Sequence, residues 1–234
     1  MASSPISASN LPALTTALSP VLCHPPSASF LTSFLSTQRS TTPLPSLVAT
    51  ARLRLLNSPL ALTLSPSPSS CLPSNIHDAT QPERRVPGPL PLQVIDVIDL
   101  TKSRWATIEE IEMLERGEGT KGREVIRVVP GEEGESETGV GEGAKGICKL
   151  LLEDAVGRRV WGLEFRPIRG LVWGMGIGSK IVLKNVLVAR GVLLLEPQTT
   201  TVVGGKIEGL HKQWMEGRKK ALKEGIDRSV QAGG

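Results

Sequence analysis

Three glycines ahead of a lysine, Gly174, Gly176 and Gly178 in GMGIGSK, have the first spacing in this chain that suggests chemistry, because glycine-rich loops cradle phosphates with backbone N–H groups. The order around them is wrong for that task. A dinucleotide loop has a strand before it and a helix after it, and a P-loop has a longer spacing before its Gly-Lys pair. Here a β-branched run begins at Ile181, so the glycines read as a turn that lets the chain enter a strand. His24, His77 and His211 are scattered, with no cysteine or carboxylate at ligand or triad spacing. Cys23, Cys71 and Cys148 lie far apart, odd in number and without a CxxC pair, which argues against a disulfide framework or a zinc knuckle and fits a reducing compartment. With no nucleophile and base, no metal cluster and no cofactor loop, the chain reads as a non-enzyme without cofactors that acts through partners.

The remaining chemistry is recognition. Trp161 and Phe165 could stack bases while Lys180, Lys184, Arg158 and Arg166 follow phosphates, as in single-strand-binding folds. Aromatic residues make up only 3% of the chain and tyrosine is absent, so the expected place of Trp161 and Phe165 is a hydrophobic interior. A second set, Arg104, Trp105, Ile108, Ile111 and Arg123, lies where an apolar stripe on a helix could anchor a partner, a large aromatic beside an arginine being typical of interface hot spots. The same stripe could pack on its own fold, since it must be covered by something. The net charge of +4 allows an acidic partner or nucleic acid without indicating either. No apolar run approaches the roughly 20 residues that cross a bilayer, so no membrane partner is expected.

These residues need elements to hold them. Ile181 to Ala189 and Val192 to Leu195 are strand-like, with Arg190-Gly191 as the hairpin turn, and Gly204-Gly205 ends the pattern. From Lys206 the spacing is helical, placing Ile207, Leu210, Trp214 and Leu222 near one face. Upstream, Leu92 to Leu100 is a first strand, and Ile147 to Glu153 with Arg158 to Phe165 forms a hairpin in which Trp161, Leu163 and Phe165 share a face. The order is that of a mainly β fold, a five-stranded oligonucleotide/oligosaccharide-binding (OB) barrel at residues 87–210, followed by a C-terminal helix at 206–225. Residues 101–146 interrupt it, too long for an ordinary connection. In that insertion Ser103 caps a helix carrying Trp105, Ile108, Ile111 and Leu114, Val125 to Val129 is a short strand that could continue the first, and residues 130–146 should be disordered.

The first 77 residues hold no Asp or Glu and are rich in Ser, Thr and Pro, a composition shared with organellar transit peptides. Residues 29–61 nevertheless space their leucines and phenylalanines as two amphipathic helices parted by Pro43 and Pro45, which favours a small helical element. Residues 1–28 are then expected to be disordered, and residues 62–86, with repeated Ser-Pro, to be a linker.

In this order LQVIDVIDLTKSRW, KLLLEDAVGRRVWGLEFRPIRGL, GIGSKIVLKNVLVARGVLLLEP and TTTVVGGKIEGL resemble the N-terminal region of the RecQ-mediated genome instability protein 1 family. FLTSFLSTQRSTTPLPSLVATARLRLLNS is similar, more faintly, to the helical element before that family's barrel. The resemblance implies a non-enzymatic nuclear scaffold that binds a type IA topoisomerase III and, with it, a RecQ-family helicase, promoting double Holliday junction dissolution and decatenation. It implies that the insertion engages the topoisomerase near its DNA gate, that DNA is met mainly through the complex, and that a second OB domain of longer members is lacking. Two other readings remain: an OB module that binds single-stranded nucleic acid directly, and an organellar protein with a removable leader.

Overall fold

The computed structural model describes residues 7–39, 41–116, 118–121, 124–127 and 146–232. Four helices come first: α1 (Ser7–Leu22), α2 (Ala28–Ser36), α3 (Leu44–Leu56) and the single turn α4 (Leu60–Thr63). Leu14 and Leu18 of α1, Leu31, Phe34 and Leu35 of α2, and Leu47 and Ala51 of α3 bury one another at the three- and four-residue spacings of a helix face. Ser27 starts α2 by accepting the Phe30 N–H at 3.2 Å, and Pro43 starts α3 from an extended conformation that a proline favours. The disorder expected over residues 1–28 is not what residues 7–28 show, and residues 1–6 lie outside the described residues. Pro12 and Pro20 lie inside α1 and obscure its pattern, while Leu14, Leu18 and Leu22 supply the apolar face that holds it in place.

Residues 62–86 are likewise not a free linker. Leu64, Leu72 and Ile76 are buried, the last two in the barrel core, and β1 (Glu83–Val86) joins the edge of the sheet. Polar ties hold this strap where apolar residues are sparse: the Leu72 N–H donates to Asp154 Oδ2 at 2.9 Å, and Arg158 Nη1 donates to the Leu72 carbonyl.

The barrel follows from β2 (Leu90–Asp99), β5 (Cys148–Glu153), β6 (Arg159–Glu164), β7 (Lys180–Leu183), β8 (Val186–Ala189), β9 (Val192–Leu195) and β10 (Thr200–Gly204). The sheet runs β1-β8-β9-β6-β5-β2-β7-β10, with β6 and β9 parallel and the other pairs antiparallel. The expected strand from Ile181 to Ala189 is bent into two arms at Lys184-Asn185, where Asn185 takes a φ of 51°. One arm, β7, pairs with β2 and the other, β8, with β9, so the sheet curls on itself as an OB-fold does. The β8–β9 turn falls at Arg190-Gly191 as expected, and both residues take positive φ, which suits the right-handed twist of the hairpin arms. Leu92, Val94, Leu150, Leu152, Val160, Ile181, Leu183, Leu193 and Leu195 fill the interior. At about 2 kcal/mol for each fully buried aliphatic side chain, this interior is the main stabilising term of the domain.

Between β2 and β5 lies the insertion, with α5 (Arg104–Glu115) and a separate hairpin of β3 (Glu118–Lys121) and β4 (Glu124–Arg127). Ser103 caps α5 by accepting the Ala106 N–H at 3.0 Å. The strand expected at Val125 does not continue the first barrel strand: β4 pairs with β3, its antiparallel neighbour close by in sequence. The disorder expected over residues 130–146 falls, except for Gly146, outside the described residues. The chain closes with α6 (Glu208–Ala232), which lays Leu210 and Trp214 on the barrel.

Candidate interaction surfaces

The neck of the insertion is drawn tight by backbone groups. Leu100 N–H donates to the Ile147 carbonyl at 2.8 Å, and Asp99 Oδ1 accepts the Thr101 N–H and hydroxyl at 2.9 and 2.6 Å. Gly146 sits so close to the Asp99 carboxylate that any side chain there would collide with it. Leu100 and Ile147 expose about half of their surface on this neck, and Trp105, at the start of α5, is 59% exposed. The rest of the expected anchor faces inward. Ile108 and Ile111 are 2% and 1% exposed, and α5 packs against α6. Arg104 Nη1 donates to the Gly225 carbonyl, while Glu112 pairs with Lys219 at 3.0 Å and Lys223 at 3.6 Å. The Lys219 hydrogen bond and charge hold the Glu112 carboxyl below its usual range. Ile108 and Ile111 are thus structural rather than partner-facing, because an apolar stripe on an inserted helix found its cover within the chain. Arg123 lies outside the described residues.

α6 in turn is locked to the barrel at Asp96, next to a register shift in β2. Trp214 Nε1 and Arg218 Nη1 both donate to Asp96 Oδ1, at 2.7 and 2.8 Å, and Arg218 Nη2 donates to the Val97 carbonyl at 3.0 Å.

Two of the four cations expected to track phosphates do structural work instead. Lys180 is completely buried and donates from Nζ to the carbonyls of Leu56, at 3.0 Å, and Gly178. Leu56 ends α3, so the hydrogen bond from Nζ ties the helical unit to the barrel. Burial lowers its pKa to about 7. Around it, Asn57 Oδ1 accepts the Lys206 N–H at 3.0 Å and Gln93 Oε1 accepts the Leu60 N–H at 3.0 Å. Gly205 lets the Leu56 carbonyl approach where a side chain would stand. Arg158 is committed to the Leu72 carbonyl. Lys184 and Arg166 are exposed, Arg166 lying 3.5 Å from Glu196.

The expected interior position of Trp161 and Phe165 is overturned. Alternation in β6 puts Val160, Gly162 and Glu164 inside and Trp161 and Leu163 outside, and Phe165 just beyond is 59% exposed. Gly162 is inward because a Cβ there already meets Leu195 Cδ1 at 3.0 Å, leaving no room for a ring. Trp161 is half-buried on the outer face, with Lys149 Nζ 4.5 Å from its ring centroid. Glu164 is buried, with Oε2 accepting the Cys148 N–H at 3.0 Å and Oε1 accepting the Ile168 N–H at 2.7 Å. A lone carboxylate among apolar alternating residues is the signal that could have marked it.

The GMGIGSK segment is a turn, as expected. Gly178 takes a φ of 89° and donates its N–H to the Val94 carbonyl at 2.8 Å, and Ser179 Oγ donates to the Gly176 and Gly205 carbonyls. His211 Nδ1 accepts the Ile177 N–H at 3.2 Å, and burial lowers its pKa. Among the described residues no group of His, Cys, Asp and Glu could hold a metal ion, and no helix is long and apolar enough to cross a membrane.

A helical unit docked on a curled sheet of this strand order defines an OB-fold protein with an N-terminal helical domain. Family models match in the same order, "RMI1, N-terminal helical domain" over residues 18–63 and "RMI1, N-terminal OB-fold domain" over residues 72–218, and the chain belongs to that family. It is similar to proteins called RecQ-mediated genome instability protein 1. That of Schizosaccharomyces pombe is 37% identical over 147 residues, 57% of this chain and 63% of the relative. That of Arabidopsis thaliana is 40% identical over 82 residues, 35% of this chain and 12% of the relative. That of Xenopus laevis is 26% identical over 147 residues, 62% of this chain and 24% of the relative. The chain thus spans less than two thirds of each of these relatives.

Proposed function

We propose that the protein is a non-catalytic genome-maintenance subunit that binds a type IA topoisomerase III and, with it, a RecQ-family helicase in the nucleus. Its barrel docks on the topoisomerase, and the insertion biases the DNA gate between open and closed states, promoting double Holliday junction dissolution and decatenation. Such a bias requires different contact with the two states, since equal affinity shifts nothing. The relatives' printed name supports the RecQ link. The observation that carries the rest is the insertion itself: it is anchored at a tight neck and on α6, yet Trp105 is turned away from that packing and 59% exposed. A rigidly based arm with an exposed aromatic can transmit force and specificity to a partner.

The test is co-elution of the full chain with topoisomerase III, scored alongside decatenation, for wild type and a variant whose residues 101–146 are replaced by a short Gly/Ser linker. The variant is expected to bind and to lose stimulation. Absence of binding by the wild type would remove the proposal.

A further inference from the structure

The helical unit carries charge of one sign. None of the chain's 23 Asp and Glu residues precedes Asp78, while Arg39, Arg52 and Arg54 are exposed and form no ion pair among the described residues. Between α2, the end of α3 and α4 lies a cavity of about 360 Å³ lined by Phe30, Phe34, Arg54, Ser58 and Leu62, among others. Its shape is fixed from two sides. The Ser27 N–H and hydroxyl donate to the Thr63 and Leu62 carbonyls at 2.8 and 3.1 Å, which pins α4 to the start of α2. Arg54, in the last turn of α3, lies over the Phe34 ring, 5.4 Å from its centroid, and its Nη1 donates to Thr37 Oγ1 at 2.9 Å. The guanidinium is held in one place with its other N–H groups unspent among the described residues. On the same cavity Leu62 is 65% exposed, although Leu60, Thr63 and Leu64 around it are buried.

We propose that this cavity docks an acidic peptide segment of a protein partner, with Arg54 receiving a carboxylate and a neighbouring Leu or Phe of the peptide laid against Leu62 and Phe30. A guanidinium already oriented by a ring and a hydroxyl loses little freedom on taking a carboxylate, and its planar fork suits that group. The volume is at the low end of ligand sites, which fits one anchoring side chain of a peptide. Charge complementarity selects the acidic character: with no carboxylate in its own sequence, the helical unit presents an uncancelled positive field to an approaching segment. A nucleic-acid strand asks instead for cations in succession along a groove and for exposed rings, whereas here one guanidinium stands over an apolar lining and Phe34 is buried beneath it. The inference stands apart from topoisomerase binding, which is assigned to the barrel and the insertion.

The experiment is fluorescence anisotropy of the full chain with a labelled synthetic peptide in which Asp and Glu flank a central Phe-Leu pair, beside the same peptide with Asn and Gln in place of the acids. Wild type is expected to bind the acidic peptide saturably, more weakly as salt rises, and to ignore the neutral one. Arg54→Gln is expected to weaken binding about tenfold and Leu62→Ser about fivefold. Leu62 is exposed, so its variant should keep the wild-type melting temperature and reads out even if Arg54→Gln disturbs α3. Lys212→Ala, on the exposed face of α6, should leave binding unchanged. No saturable binding by wild type, or binding equal to wild type in both variants, would overturn the proposal. Binding that appears only when Glu132→Gln, Glu133→Gln, Glu135→Gln and Glu137→Gln are made together would give the cavity to the chain's own acidic run and overturn it as well. So would a labelled oligothymidylate that binds in place of the peptide and depends on Arg54 but not on Leu62. If both variants lose co-elution with topoisomerase III while no peptide binds, the cavity belongs to that interface, and the inference fails with the topoisomerase reading intact.

Discussion

The junction between helical unit and barrel and the insertion between β2 and β5 use the same kinds of residue in opposite ways. At the junction, a lysine, a glutamine and an asparagine are spent on backbone groups: Lys180 on Leu56 and Gly178, Gln93 on Leu60, Asn57 on Lys206. In the insertion the polar and charged residues secure the base of the arm, and the largest aromatic is left in solvent. Position relative to the core, rather than residue type, separates a structural cation from an available one. Lys180 and Lys184 lie four residues apart along one bent strand, one wholly buried and the other exposed.

The contrast can be broken most forcefully at Lys180. Lys180→Ala leaves the Leu56 and Gly178 carbonyls without their donor and opens a cavity beneath α3, and a loss of about 4 kcal/mol is expected in a urea melt. The same lysine gives the junction a pH signature. Its folded pKa is lowered from 10.5 to about 7, so between pH 7 and 10.5 the unfolded chain holds the proton more tightly than the folded one. Stability contributed by this group therefore rises with pH through that window and is flat below it. Urea midpoints of wild type and Lys180→Met at pH 6.5, 8 and 9.5 check this: the wild type should gain on the variant as pH rises, and a constant difference would place the amine in ordinary surroundings.

A smaller effect is expected at the base of the arm. Asp96→Ala removes the acceptor shared by Trp214 and Arg218, whose side chain is only 9% exposed, and a loss of about 2–3 kcal/mol follows from leaving that guanidinium without its carboxylate. Because α6 supports α5, hydrogen exchange should rise along both helices while the barrel strands β2 and β5 to β9 stay protected. Uniform loss of protection would show that arm and barrel unfold as one unit.

The sheet was legible because period-two alternation and Arg190-Gly191 are local signals, and the helical face of residues 29–61 was legible for the same reason. What local pattern could not supply was the direction of a face. Trp161, Leu163 and Phe165 do share one side of β6, but the room at Gly162 is limited by Leu195, distant in sequence, and Glu164 is held inward by the N–H groups of Ile168, close in sequence, and of Cys148 on the neighbouring strand. The strap over residues 62–86 was hidden in the same way: Leu64, Leu72 and Ile76 are isolated apolar residues among Ser and Pro, and Asp154 and Arg158, some 80 residues away, hold the strap down. In α1 the prolines outweighed a leucine spacing that was there to be read. Of the candidate sites, Trp105, Arg166 and Lys184 are presented to solvent, while Ile108, Ile111, Arg104, Arg158 and Lys180 were claimed by tertiary contacts that no window of sequence contains.

The division of the molecule into an inward junction and an outward arm is tested most directly by Trp105→Ala, measured for melting temperature and for affinity to topoisomerase III on the same preparation. The exposed ring predicts a stability change within about 0.5 kcal/mol. As a hot spot it predicts about 30-fold weaker binding, close to 2 kcal/mol. A large fall in melting temperature with binding unchanged would contradict the account and make Trp105 part of the packing of the arm.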